Sequence, residues 1–208
     1  MTPRTKEQFE EIRIKRIKQI LDAAEQVYIA QGNQFDIRDV AKKAALGYGT
    51  VYHYYSNKQI LLQDLFARGL EMAADLTLHL STAAEGPLKS LEAYCNTLLH
   101  TWRHHPSVFL IYKIASENFA GMESSIKEQF SVRFQQLLYQ PLIDCLGRAI
   151  EAEEINAAPD AEKLANGLLG SLIGSYGIYL YHDKAPNDPS FLTRLLLTGL
   201  VGEKEAKR

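Results

Sequence analysis

Apolar residues recur at steps of three and four along most of this 208-residue chain. In the first such segment they are Phe9, Ile12, Ile17, Ile20, Leu21, Ala24, Val27 and Tyr28. This spacing predicts a long amphipathic helix, which Gly32 ends. No alternation of apolar and polar residues is long enough to predict a strand. The pattern therefore predicts an all-α fold of about nine helices.

Three further helical patterns follow in close succession. Asp36, with Asp39 three residues on, predicts the capped start of a second helix. The turn "ALG" separates it from a third helix of about seven residues, 48–54. The segment "SNKQ" at 56–59 has the Ser-x-x-Gln form of a capping box and predicts a fourth helix over 57–80.

Short proline-containing segments separate the later helices. They are "EGP" at 85–87, "HHP" at 104–106, "APD" at 158–160 and "NDP" at 187–189. Proline fits the first turn of a helix, where its missing N–H has no intrahelical partner. Each segment is therefore expected to lie at the start of a helix.

The segment 44–59, "AALGYGTVYHYYSNKQ", has four tyrosines and a histidine but hardly an aliphatic side chain to bury. Two short helices joined by a tight turn, with a longer helix on each side, are typical of a helix-turn-helix, whose second helix enters the DNA major groove. Tyr and His carry hydrogen-bonding groups on short rigid stems that reach phosphates and base edges. Tyrosines at helical spacing lie more often at the edge of a core than in contact with DNA, and spacing alone leaves that alternative open.

Two residues beside these tyrosines favour a nucleic-acid partner. Gly49 allows the start of helix 48–54 to approach a duplex closely. Lys58 lies in the first turn of the next helix, where the helix dipole disfavours a cation. A phosphate in front of that helix end would reverse the sign of this interaction.

Charge and cysteine usage agree with a nucleic-acid-binding segment on an intracellular protein. The net charge is −2, but residues 1–58 hold ten Lys/Arg against seven Asp/Glu, a net of +3 that leaves −5 for the rest. Cys95 and Cys145 lie far apart and show no metal-ligand or redox spacing, so we expect reduced thiols in a cytosolic protein. The first residues contain no unbroken apolar run, so we expect no signal peptide.

The helix-turn-helix segment resembles a known family. The run "FDIRDVAKKAALGYGTVYHYYSNKQILL" is similar to the DNA-binding signature of the TetR family of bacterial transcriptional repressors. The matching residues are Val40, Ala41, Ala44, Leu46, Gly49, Thr50, Tyr52, Tyr54, Tyr55, Lys58, Leu61 and Leu62. The resemblance is strong over residues 10–66, and beyond them it rests on an all-helical body of the expected length.

The chain departs from the family pattern at three positions. Ala45 replaces the usual turn glycine, so this residue must reach its turn geometry with a Cβ present. Gly47 replaces the usual serine N-cap, a change that costs a few tenths of a kcal/mol. Tyr48 stands where the family often has a lysine, which bears on the operator sequence and leaves the DNA-binding module intact.

The resemblance implies a helix-turn-helix domain at 1–58, joined by helix 57–80 to a helical effector-binding and dimerisation domain at 59–208. The residues that it implies to face DNA are Arg38, Tyr48, Gly49, Thr50, Tyr52, His53 and Lys58, with Lys58 holding a phosphate. Val51 and Tyr55 are expected to pack inside, because a recognition helix must bury one face.

The segment 164–181, "LANGLLGSLIGSYGIYLY", carries a line of glycines. Gly167, Gly170, Gly174 and Gly177 follow at steps of three and four, with Tyr181 four residues later. Each glycine costs roughly 0.8–1 kcal/mol against alanine in a helix, so the missing side chains must favour something else. A membrane span and close packing within one subunit are alternatives, but the polar residues and flanks argue against a span.

We favour close approach of a second subunit along this line. In the family the last two long helices form a four-helix dimer interface, and 160–182 and 189–202 occupy those places. The last helix presents Leu192, Leu195, Leu196 and Leu200 on its apolar face. A homodimer without a membrane segment is therefore expected.

The resemblance also implies a ligand cavity in the body. Its candidate apolar and aromatic walls are Trp102, Tyr112, Phe119, Phe130, Phe134 and Tyr139, with His100, Asn118 and Gln135 as polar anchors. A core has the same composition, so each residue also fits plain packing. His104 and His105 are adjacent and point to different sides of a helix, which favours a surface corner over a metal site.

Together these features predict a cytoplasmic homodimeric repressor that binds a palindromic double-stranded DNA operator. A small apolar or aromatic effector is expected to release it, with no cofactor and no metal. One alternative is a family-like DNA-binding protein controlled by a protein partner. Another is an all-helical enzyme, against which stands the lack of a nucleophile with its base, a phosphate-binding glycine loop or carboxylate–histidine metal spacing.

Overall fold

The computed structural model describes residues 6–81, 86–155, 160–182 and 188–201, and all regular structure in them is helical. The α-helices are α1 Lys6–Gln31, α2 Ile37–Lys43, α3 Tyr48–Tyr54, α4 Lys58–Leu76, α5 Pro87–His104, α6 Pro106–Ser116, α7 Ser124–Phe134, α8 Gln140–Glu151, α9 Ala161–Tyr181 and α10 Pro189–Val201. A π-helical turn, Gln135–Tyr139, joins α7 and α8 without a break, so the described ranges form nine helical rods. The all-α prediction is confirmed.

The chain divides into two compact units, Met1–Arg68 and Gly69–Arg208, and the division falls inside α4. We call the first unit the head and the second the body. The boundary predicted from the sequence lies earlier, at residue 58, where α4 begins. Helix α4 continues past Arg68, where the two units divide, because its apolar side chains repeat without a break on both sides of this residue.

The core of the head is aliphatic at its centre and aromatic at one end. Ile20, Val40 and Val51 have no exposed surface. The ring of Tyr28 packs edge-on against Phe35 and Phe66, with centroids 6.1 and 5.5 Å away. These contacts hold α1 against α4 and against the segment that precedes α2.

The core of the body forms where α5 and α8 pack together and where α9 covers α8. Its largest fully buried side chains are Trp102, Tyr94, Tyr112 and Phe109. Cys95 and Cys145 are free and buried on α5 and α8. Burial raises the pKa of Cys95 to about 12. These cysteines are therefore thiols packed in the core, in agreement with the expected absence of a disulfide.

Within the body, the last part of α4 runs very close to the start of α6. A Cβ atom added to Gly69 would lie 2.2 Å from the carbonyl oxygen of Ser107, which is itself fully buried. Only glycine allows this approach without moving a backbone.

Prolines begin three helices as the sequence predicts: Pro87 starts α5, Pro106 starts α6 and Pro189 starts α10. Helix α9 begins after Asp160, whose carboxylate accepts hydrogen bonds from the backbone N–H groups of Glu162 and Lys163. Pro159 and Asn187 of the predicted start segments lie outside the described residues, as does residue 202 of the predicted last helix.

Two boundaries differ from the sequence analysis. Helix α4 is capped by Asn57, whose Oδ1 accepts the N–H of Ile60 at 3.0 Å, so the predicted capping box of "SNKQ" is wrong by one residue. The predicted helix over 57–80 ends at Leu76 and continues as a 3-10 turn, Thr77–Leu80. Arg148 closes this turn by donating from Nη2 to the carbonyl of Leu80 at 2.6 Å.

The π-helical turn has a cause in the sequence. Pro141 lacks an N–H group, and its ring would clash with the carbonyl four residues earlier in a regular helix. One residue of extra backbone in the turn before it relieves this clash. Val132, three residues before this turn, is 48% exposed, and Leu137, within the turn, is 37% exposed.

Candidate nucleic-acid interface

The first helix of the helix-turn-helix begins with a complete capping box. Asp36 Oδ1 accepts the backbone N–H groups of Arg38 and Asp39 at 2.6 and 3.1 Å. In return, the N–H of Asp36 donates to Asp39 Oδ2 at 2.9 Å. The predicted cap is confirmed. It fixes where α2 begins and therefore where Arg38 lies in the first turn of this helix.

The turn between α2 and α3 holds the two helices at a fixed angle. Ala45 has a φ of 53°, in the left-handed region, as the sequence required of an alanine at this turn. The N–H of Leu46 donates to Ala41 O at 2.9 Å, and Gln19 Nε2 of α1 donates to Ala44 O at 2.7 Å. A left-handed residue with a Cβ costs about 1–2 kcal/mol, which these contacts offset.

Helix α3 buries one face and exposes the other. Val51 is 0% and Tyr55 2% exposed, so the predicted inward pair is confirmed. The hydroxyl of Tyr55 donates to Asp64 Oδ2 of α4 at 3.1 Å. Burial and the Asp64 carboxylate raise the pKa of Tyr55 well above its usual value, so this hydroxyl stays protonated as a donor. The orientation of α3 is thus fixed by a buried contact.

The outer face of α3 carries the predicted DNA-contacting residues. Exposed on this face are Tyr48, Gly49, Thr50, Tyr52 and His53. Tyr48 and Tyr52 have nearly half of their surface exposed, which is unusual for large aromatic rings. The exposed face thus consists of groups that can both donate and accept hydrogen bonds.

Arg38 extends this face onto α2. Its guanidinium carbon lies 5.7 Å from the centroid of the Tyr48 ring. The Tyr48 ring lies 5.6 Å from that of Tyr52. Arg38, Tyr48 and Tyr52 therefore form one continuous row across both helices, with a cation at one end.

Lys58 lies within the same unit but bonds to the protein. Its Nζ donates to the carbonyl oxygen of Asn33 at 2.5 Å and lies 4.8 Å from the centroid of the Phe35 ring. The ammonium group is thus stabilised by a carbonyl oxygen and by the face of an aromatic ring. A phosphate contact requires Lys58 to leave this position or to share its remaining N–H donors.

An ion pair braces α1 against α4 inside the head. Arg68 Nη1 lies 2.7 Å and Lys18 Nζ 2.8 Å from the Asp22 carboxylate. Partial burial acts to raise the pKa of Asp22, but the hydrogen bonds from Lys18 and Arg68 outweigh it and hold the pKa below its usual value.

In the body, the structure separates the predicted ligand-contacting residues into two groups. Trp102, Tyr112, Phe119 and Phe130 are buried, and Phe134 and Tyr139 are half-buried. The three predicted polar anchors, His100, Asn118 and Gln135, lie exposed. These three side chains therefore do not line the aromatic interior. Helix periodicity does not predict this, because it leaves open which way a residue at the edge of the apolar stripe points.

The residue that the sequence analysis missed is Tyr94. Its ring has no exposed surface, and its hydroxyl lies 2.7 Å from that of Tyr112. Its apolar register with Leu91, Leu98 and Trp102 on α5 was the available signal.

The predicted glycine line faces outward from a single chain. Within the described part of the chain, a Cβ added at Gly167, Gly170 or Gly174 would meet no atom within 4 Å. A Cβ at Gly177 would meet the ring of Tyr181 at 3.9 Å. Packing against the described residues therefore gives no reason for these glycines.

Large apolar side chains surround this line on α9 and α10. Ile178, Tyr181, Phe191 and Leu195 are between 44% and 60% exposed. Among the other predicted residues, Leu196 and Leu200 are half-buried, whereas Leu192 is buried against its own chain. We call this surface, with the glycines, the α9–α10 face.

Two negative findings hold for the described ranges. No helix in them has the length and apolar character needed to cross a membrane. No three His, Cys, Asp or Glu side chains in them come together as metal ligands would.

Comparison with known proteins identifies the head. Residues 20–65 match the model for bacterial regulatory proteins of the tetR family. No curated protein sequence matches the chain.

Solved structures share the fold of nearly the whole chain. A putative fatty acid metabolism regulator of Clostridium perfringens is 22% identical, with a TM-score of 0.68, over 89% of this chain and 100% of that chain. The MbdR regulator from Azoarcus sp. CIB is 17% identical, with a TM-score of 0.77, over 90% and 100%. AibR, solved with isovaleryl coenzyme A and operator DNA, is 16% identical, with a TM-score of 0.73, over 89% and 98%.

Proposed function

We propose that this chain, a transcriptional regulator of the TetR family, is a cytoplasmic repressor that binds a palindromic operator as a homodimer and is released by a small molecule. The observation that carries the proposal is the two-sided character of α3. One face is anchored through Val51 and Tyr55, and the other exposes side chains that can form hydrogen bonds.

The exposed row Arg38, Tyr48 and Tyr52 suits the major groove. A guanidinium and two phenols present donors to base-edge acceptors and phosphates. Each subunit supplies one such row, so the two rows of a dimer must lie about 34–36 Å apart to enter successive major grooves. A ligand that binds one subunit arrangement better than the other changes this separation and with it the affinity for the operator.

The test of DNA binding starts with selection of operator fragments by the purified protein. Tyr52→Ala is expected to abolish specific binding without changing the helical circular-dichroism signal. Lys58→Ala is expected to weaken binding to all sequences alike and to lower the log–log salt slope by about one unit, because one phosphate contact is lost. The matched control is Lys163→Ala on α9, which should leave the slope unchanged. Normal footprints of both head variants would refute the assignment of α3.

The α9–α10 face supports the homodimer. Four exposed large apolar side chains beside a line of glycines form a surface on which a second helix backbone can lie closely. Gly170→Leu is expected to push the partner helix away and to produce a folded monomer in sedimentation. Gly147→Leu is the matched control, because Gly147 is a helical glycine with equally open surroundings on α8. An intact dimer of the Gly170 variant would remove the glycine line from the interface.

The aromatic interior of the body supports a small apolar effector. Regulators of the same fold include a putative fatty acid metabolism regulator and one solved with isovaleryl coenzyme A. A second candidate follows from how full this interior is, since its largest rings have no exposed surface. A regulator whose body is a solid core would be controlled by a protein partner, and operator release by small molecules separates the two.

A further inference from the structure

The aromatic interior of the body contains hydrogen-bond donors that find no acceptor among the described residues. Trp102 is fully buried, and its indole N–H has no hydrogen-bond partner there. The hydroxyls of Tyr94 and Tyr112 are also fully buried and bond to each other at 2.7 Å. Two hydroxyls bring two protons, and their one bond uses one of them. The second proton and the indole proton are left over.

These two donors belong to one cluster. The Trp102 ring lies 5.5 Å from that of Tyr112 and 5.3 Å from that of Tyr176. The hydroxyl of Tyr176 adds no further donor to this cluster, because it already donates to the backbone carbonyl of Trp102 at 2.8 Å. Phe134, half-buried at the start of the π-helical turn, covers Tyr112 edge-on at 5.6 Å.

Open space adjoins this cluster. A small cleft between α5, α9 and α10, with a volume of about 20 Å³, is lined by Leu99, Arg103, Tyr176, Tyr179 and Leu192. Tyr176 belongs both to the cleft and to the cluster. The cleft and the cluster therefore share one ring.

A buried donor without an acceptor costs about 1–3 kcal/mol, so a protein retains one only for a reason. The cluster offers two donors, and the described residues that form it include no cationic side chain; Arg103 lies on the adjoining cleft. A neutral acceptor satisfies both donors, whereas an ionised carboxylate among these rings would be desolvated without a counter-charge beside the donors. The matching chemical group is a carbonyl oxygen.

We propose that Trp102 and the Tyr94–Tyr112 pair bind the carbonyl oxygen of an apolar ketone, ester or thioester inside the body. This inference rests on the proposed function, because it names the chemical class of the effector. The aromatic rings enclose the apolar part of the ligand, and the indole and phenol protons select the carbonyl.

The single tryptophan of the chain makes the site directly observable. In a ¹⁵N-labelled protein, the indole N–H of Trp102 gives one resonance. The probes are two matched pairs, 2-octanone with 1-octene and acetophenone with ethylbenzene. Each ketone is expected to move the indole proton downfield and to bind about tenfold more tightly than its hydrocarbon, the ratio that one satisfied buried donor gives.

Tyrosine variants separate a ligand site from a structural hydrogen bond. The double variant Tyr94→Phe/Tyr112→Phe removes both hydroxyls and the leftover proton, so its melting temperature should equal or exceed that of the parent. Its preference for ketones should fall, while each single Phe variant keeps one free phenol proton and most of the preference. Trp102→Phe should lose preference in the same way.

Three results would overturn the inference. The first is an indole resonance that neither ketone moves, as expected if a buried water already satisfies the donors. The second is an unchanged ketone preference in the double variant, and the third is a marked loss of stability in that variant. Operator binding and dimerisation are measured separately. A protein that binds its operator as a dimer but ignores ketones would keep the proposed function and lose only this inference.

Discussion

Replacement of Gly69 by alanine tests the close approach of α4 and α6. In an open helix this change stabilises by about 0.8–1 kcal/mol, because glycine has the greater backbone entropy to lose. Here the new Cβ would lie 2.2 Å from Ser107 O and 2.8 Å from Ser107 C. A normal contact needs about 1 Å more, and the atoms that must move belong to a buried backbone.

The clash should therefore outweigh the gain in propensity. Overpacking in a core costs typically 1–3 kcal/mol, and a backbone contact this short belongs at or above the upper end. After the propensity gain is subtracted, the expected loss is about 2 kcal/mol. For a chain of this length that lowers the melting temperature by about 4–8 °C.

Gly147→Ala provides the matched control. Gly147 lies within α8, and a Cβ there would meet nothing within 4 Å. This variant is expected to gain up to about 1 kcal/mol, seen as a rise in melting temperature and in urea midpoint. If both variants melt at or above the parent temperature, the two helices can separate freely at Gly69 and the reasoning fails.

Three further changes have defined outcomes. Ala45→Gly should stabilise the head by up to about 1 kcal/mol in urea denaturation, because glycine adopts a left-handed φ without penalty; an unchanged midpoint would contradict this. Asp22→Asn should lower stability at neutral pH by up to about 1 kcal/mol, since this carboxyl is partly exposed. Its lowered pKa means that the contribution is present above the unfolded pKa of about 4 and is lost as the pH falls through the folded value, so parent and variant should converge in acid. Glu154→Ala should cost about 1 kcal/mol in thermal unfolding, because its Oε2 accepts the N–H of Leu88 at 2.7 Å and caps α5; Glu154→Gln should retain much of this.

The sequence predicted the parts of the fold that depend on local chemistry. The capping box of Asp36 and the left-handed Ala45 follow from side chains and turn geometry within a few residues. The inward pair Val51 and Tyr55 follows from the 3.6-residue period of a helix that must bury one face. Each of these signals needs no knowledge of distant contacts.

The remaining features depend on partners far away in the chain. Asn57 and Ser56 are both good caps, and only the tertiary position of α4 decides between them. Lys58 reaches the carbonyl of Asn33, 25 residues earlier, which no local pattern indicates. The pairing of Tyr94 with Tyr112 likewise requires α5 and α6 to be packed together.

The two buried cysteines have a practical consequence for measuring motion in this protein. Both lie in the body, on α5 and α8, so the head carries no thiol. A disulfide reagent reacts only when a thiolate attacks one of its sulfurs, and burial raises the pKa of both thiols, to about 12 for Cys95. Modification must therefore wait for the α5–α8 packing to open, and its rate reports the free energy of that opening. Operator DNA and effector can then be ranked by how much each slows the labelling, with no dye or tag added to the chain.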